Sequence, residues 1–110
     1  MSDEARQPKE AGDDGLAGFS AAERRVIATF VRDGVIPTFP AKQSRQLVLW
    51  RYVVRMFEHG RDYPEPELNA LLRPLNPDVA TIRRALVDFR LMRREAGVYR
   101  RVDDDVLLGK

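Results

Sequence analysis

Thr81, Arg83, Arg84, Arg93, Arg94, Arg100 and Arg101 are the side chains whose types and spacing best support a chemistry, and that chemistry is recognition of nucleic acid. A guanidinium is a planar fork that donates two parallel hydrogen bonds, a match for phosphate oxygens and for the edge of guanine. Arg83 and Arg84 fall in a stretch with helical period. Thr81 and Arg84 then point outward, while Arg83 lies roughly 60° from the buried stripe. Arg84 and Thr81 are expected at a groove. Arg83 would grip a phosphate or pair internally with Glu65, Glu67 or Asp88, and pairing is the usual state of a partly buried arginine. Arg93, Arg94, Arg100 and Arg101 put four like charges on two short strands, which repel unless something such as phosphate neutralises them. The alternative is a solvated edge whose charge blocks strand-to-strand aggregation. Tyr99 fits packing of the hairpin better than base stacking.

Other candidate constellations are weaker. Tyr63, Glu65, Glu67 and Asn69 resemble a site when written as a motif. Residues two apart on a helix do not face one another, however, so helix-start stabilisation and an arginine partner explain the two carboxylates more simply than acid–base or metal chemistry. His59 is the single histidine, and no second ligand is spaced to join it. Asp103, Asp104 and Asp105 could hold a cation weakly, but a tail is the simpler account. There is no glycine-rich phosphate loop and no Ser/His/Asp or Cys/His set. The expectation is a protein that is not an enzyme and carries no metal or other cofactor.

Those arginines must be positioned by the stretch from Asp78 to Val102. Val79, Ile82, Leu86 and Phe89 recur at spacings of three and four, and Asp78 after Pro77 is placed to cap a helix. After Phe89 the period changes to strand-like runs, 91–94 and 98–102, around Glu95-Ala96-Gly97, where Gly97 can take the left-handed conformation of a short turn. Upstream, Ser20-Ala-Ala-Glu23 is a capping box, followed by an apolar stripe of Val26, Ile27, Phe30 and Val31 and a stop at Asp33-Gly34. Val35-Ile36-Pro37 suits a short edge strand. The longest apolar segment, 47–57, predicts a buried helix with Leu49, Val53, Met56 and Phe57 on one face, Trp50 and Val54 widening it, and Gly60 at its end. Tyr63 to Glu67 starts a third helix with Leu68, Leu71, Leu72 and Leu75 inward, Pro74 ends it, and Leu75-Asn76-Pro77 turns into the fourth.

At 110 residues this chain is one small domain, and the absence of cysteine excludes disulfide or thiolate-metal stapling. No apolar run approaches the roughly 20 residues of a membrane span, and the acidic start is not a signal peptide. A cytoplasmic bacterial protein that does not enter membranes is expected. Residues 1–15 carry two basic against five acidic side chains, whereas residues 24–102 carry sixteen basic against eight acidic, all but Lys42 being arginine. The chain therefore divides into a disordered acidic tail (1–18), a basic domain (19–102) and a C-terminal tail (103–110).

Several spaced motifs then stand in one order: Phe39-Pro-x-Lys42 with Arg45, Val48-Leu49 and Phe57; Tyr63-x-Glu65-x-Glu67-Leu68-Asn69-x-x-Leu72; Asp78-x-Ala80-x-Ile82-Arg83-Arg84-x-Leu86-Val87-Asp88; and Arg94 with Gly97-x-Tyr99. Over about residues 20–102 the chain resembles the uncharacterised bacterial domain of unknown function 2087. That resemblance implies a winged-helix-like fold, found alone or attached to ArsR-type transcriptional regulators, and brings no established reaction, ligand or DNA site. Pro64 stands where the family has a capping Ser or Thr. Arg90 stands where it has a helix-ending Gly, so the fourth helix either runs on or leaves Arg90 at a positive φ. The fold expected is mainly α with a small β-hairpin, a winged helix-turn-helix. Its expected function is binding of double-stranded DNA in transcriptional control, with a homodimer as one way to read enough DNA. The alternative is a non-catalytic winged-helix module that binds protein, an acidic partner or a second copy.

Overall fold

A computed structural model describes residues 16–102 of the chain. The C-terminal tail, including Asp103, Asp104 and Asp105, and residues 1–15 of the N-terminal tail lie outside the described residues. In chain order the elements are α1 (Ala21–Phe30), α2 (Gln43–Val54), β1 (Asp62–Pro64), α3 (Glu65–Leu72), α4 (Val79–Asp88), β2 (Met92–Glu95) and β3 (Val98–Arg101). The three strands form one antiparallel sheet in the order β1-β3-β2.

Local chemistry explains most helix starts. Ser20 caps α1: its hydroxyl accepts from the Glu23 N–H at 3.1 Å, and the Glu23 carboxylate accepts from the Ser20 N–H at 2.9 Å. Asp78 caps α4, accepting from the Thr81 N–H at 3.2 Å and from the Thr81 hydroxyl at 2.6 Å. At α3 the N-cap is Pro64, which offers no side-chain acceptor. Glu65 and Glu67 in the first turn instead meet the positive end of the helix dipole. Pro66 sits in the first turn, where its missing N–H costs nothing.

Three expectations need correction. First, Val35–Pro37 is not a strand of the sheet. α1 ends at Phe30, and Asp33 (φ 55) and Gly34 (φ 76) make a two-residue turn between Arg32 and Val35. Ile36, fully buried, then donates to the Leu75 carbonyl and accepts from the Asn76 side chain, both at 2.8 Å. The segment is bonded to the α3–α4 turn. Second, α2 stops at Val54, six residues before Gly60, so Phe57 is buried from a loop while Met56 is exposed. Leu71 is likewise more exposed than its place on the apolar face of α3 suggested. Third, Tyr63 and Pro64 precede α3 as an edge strand, Tyr63 opposite Tyr99 and Pro64 opposite Val98. An edge tolerates Pro64 because one side of the strand lacks a partner.

The main core joins α2, α3, α4 and the inner face of the sheet. It includes Leu49, Trp50, Val53 and Val54 from α2, Leu68 and Leu72 from α3, Ile82 and Leu86 from α4, and Met92, Tyr63 and Tyr99 from the strands. Each such side chain contributes roughly 1.5–3 kcal/mol on burial. A second, smaller cluster of Phe19, Ile27 and Val48 seats α1 on α2. Leu16 packs against it. The Arg55 side chain donates to the Ala17 carbonyl at 3.0 Å, so the ordered contacts begin before residue 19.

Candidate nucleic-acid interface

α4 presents Ala80, Thr81, Arg84 and Asp88 to solvent because Ile82 and Leu86, on the opposite side of the helix, are fully buried. Arg84 makes no side-chain hydrogen bond or ion pair among the described residues. Thr81 is exposed, with its hydroxyl engaged by Asp78. Those bonds, the Thr81 hydroxyl first, hold the Asp78 carboxyl below its usual range, and the nearby Arg84 charge adds to them.

Arg83 turns inward. It donates to Asn69 Oδ1 at 2.7 Å and lies 3.8 Å from Glu65 Oε1. Glu65, one of the partners foreseen for it, also accepts from the Tyr99 hydroxyl at 3.0 Å. Burial, followed by this bond to a carboxylate, pushes the Tyr99 pKa up. Glu67 pairs with Arg61. The 63–69 motif thus ties α3 to α4, to the sheet and to its own approach.

The register of the hairpin separates the four strand arginines. Arg93 is opposite Arg100, Arg94 opposite Tyr99, and Met92 opposite Arg101. Side chains alternate between faces of a strand, so Met92, Arg94, Tyr99 and Arg101 share the inner face and Arg93 and Arg100 the outer one. On the outer face Asp62 of β1 neutralises Arg100 through contacts of 2.9 and 2.7 Å. On the inner face Arg101 donates to the Phe57 carbonyl at 2.8 Å. Arg93 and Arg94 are exposed and form no ion pair among the described residues, although Arg94 lies 5.9 Å from the centre of the Tyr99 ring. The structure therefore does not hold the four together as one cluster: two are engaged by the fold and two are open.

What the fold brings together is the crease between α4 and the hairpin. Arg83, Arg84 and Arg94 line a hollow of about 320 Å³ there, with Glu65 and Tyr99 beneath them. Arg90, outside the seven residues singled out by sequence, stands beside this crease. It lines the adjoining cleft with Arg93 and Arg94. Its signal in the sequence was an arginine where a helix-ending glycine was expected. Among the described residues no group of three or more His, Asp or Glu side chains is arranged to hold a metal ion. No described helix is long and apolar enough to cross a membrane.

A family model described as an uncharacterized protein conserved in bacteria (DUF2087) matches residues 35–101, from the turn after α1 to the end of β3. No curated protein and no solved structure matches the chain.

Proposed function

The chain belongs to the DUF2087 family of uncharacterised bacterial proteins, and from that premise we propose that it is a winged helix-turn-helix module binding double-stranded DNA in transcriptional control. The element order supports this reading. A helix, a short strand, two helices joined by a tight turn, and a hairpin whose second strand pairs with the first strand make up the body of a winged helix. α4 is then the helix that enters the major groove, and β2–β3 is the wing. α1 is an addition outside the family match, seated on α2.

One observation carries the proposal. Arg84 on the exposed face of α4 and Arg94 on the hairpin line the same crease, and among the described residues neither forms an ion pair with a carboxylate. Open arginines on a helix and on the strand beside it fit a duplex, whose base edges and flanking phosphates lie side by side. Arg84 would read a base edge and Arg93 and Arg94 would hold phosphate.

Fluorescence anisotropy with labelled duplexes over a range of salt tests it. The expected result is a linear fall of log affinity with log salt, with a slope near −0.9 for each phosphate contacted. Arg84→Ala should lower discrimination between sequences by roughly 1–3 kcal/mol. A parent protein with no salt-dependent affinity for any duplex would replace this reading with the protein-binding one, in which the basic crease takes an acidic partner.

A further inference from the structure

α4 ends in a conformation that its own residue makes costly. Arg90 sits at φ 63, in the left-handed region. Its N–H donates to the Val87 carbonyl, and the Leu91 N–H donates to the Leu86 carbonyl, both at 2.9 Å. Those are the two bonds of a Schellman cap, in which this place normally goes to glycine because a Cβ crowds the backbone there. An arginine gains nothing locally from the position, so its side chain is the part to account for.

Arg90 lines a cleft of about 670 Å³ together with Arg93 and Arg94 of β2. None of the three guanidinium groups makes a side-chain hydrogen bond or an ion pair among the described residues. Asp88 and Glu95 line the same cleft, which therefore favours separate phosphate groups, each met by one arginine, over a broad acidic surface. Val87 supplies apolar surface beside the charges, and the nearly buried Met92 and Val102 close the cleft behind it. Val87, Asp88 and Arg94 also line the crease that holds Arg84, so the two hollows adjoin.

The geometry points to a clamp for the sugar–phosphate backbone: Arg90, Arg94 and, from the other face of β2, Arg93 each hold one of a run of neighbouring phosphates of a DNA strand at the end of α4, with Val87 beside the deoxyribose. This inference rests on the DNA-binding reading above and adds Arg90 to it. The crease at Arg84 adjoins this clamp, so a strand bound at one reaches the other. The left-handed cap sets Arg90 between the end of α4 and the hairpin, at the edge of that cleft.

Arg90→Gly separates the cap from the clamp, because glycine adopts the same backbone without strain. The expected result is a Tm higher by roughly 2–6 °C. Binding of the full-length chain to the same labelled duplex should weaken about five- to tenfold at ~0.1 M salt, with a log–log slope shallower by roughly 0.9. Arg90→Lys keeps a cation and the strained backbone, and should hold affinity within about threefold of the parent without the gain in Tm. If the parent binds and Arg90→Gly matches it in affinity and slope, the clamp is overturned while DNA binding stands. An Arg90→Lys variant as weak as Arg90→Gly overturns the clamp too, since the lost property would not be charge. A parent that binds no duplex overturns the DNA reading itself and the clamp with it.

Discussion

Arg83 on α4 donates to the side-chain oxygen of Asn69 on α3 at 2.7 Å, a direct bond between the two helices on either side of the tight turn. The Arg83 side chain is 22% exposed, and Glu65 at 3.8 Å offers a longer, weaker ion pair. Because the bond is charge-assisted and only partly shielded, Arg83→Ala should cost about 1–2 kcal/mol of stability in urea or thermal melts. The folded variant should keep the parent's salt slope for duplex binding. A slope flatter by about one unit would instead make Arg83 a phosphate ligand.

The pairing of the sheet arginines makes a sharper distinction. Arg100 is held by Asp62, whereas Arg93 and Arg94 have no carboxylate partner among the described residues. Replacing Arg93 and Arg94 together with Ala should flatten the salt slope by roughly two units and weaken all sequences alike, because backbone contacts carry little sequence information. Arg100→Ala should change the slope by less than about half a unit, since it leaves Asp62 in its place. Equal effects from the two variants would mean that the Asp62 bond opens on binding.

Stability should fall at both ends of the pH range, for different residues. Glu23 and Asp78 are the carboxylates of two helix starts. The Ser20 N–H, and then Arg51, hold Glu23 below its usual pKa, while Thr81 does the same for Asp78. A carboxyl whose folded pKa is depressed adds stability above its unfolded pKa and loses it as pH falls through the folded value. The acid limb should therefore descend below about pH 4. Glu23→Gln should make that limb shallower in melts taken across pH. Tyr99 behaves in the opposite sense: its raised pKa, due to burial and then to Glu65, adds stability that is lost as pH rises above about 10. Tyr99→Phe should remove that alkaline loss.

Where the deciding interactions lie within a few residues, the sequence alone determined the structure. The Ser20–Glu23 box, the Asp78 cap, the turn at Gly97 and the buried stripe of Ile82 and Leu86 follow from spacing, because each is set by contacts within about one helical turn or one hairpin. The choice at Arg90, to extend the helix or turn left-handed, was visible as a choice, and the fold resolved it. Only the tertiary structure could decide the rest. β1 exists because Tyr63 finds Tyr99, thirty-six residues away, and a three-residue edge strand has no period of its own to show. Ile36 leaves the sheet because Leu75 and Asn76 supply its hydrogen bonds. Phe19 is anchored by the Arg51 guanidinium 4.7 Å above its ring, and Arg51 is held in turn by Glu23 at 3.0 Å, a contact between helices that neither helix encodes alone. The arginines of the hairpin look alike in sequence. Which of them stay open depends on carboxylates and carbonyls delivered from β1 and the loop before it, and partner choice over such separations is fixed only when the chain packs.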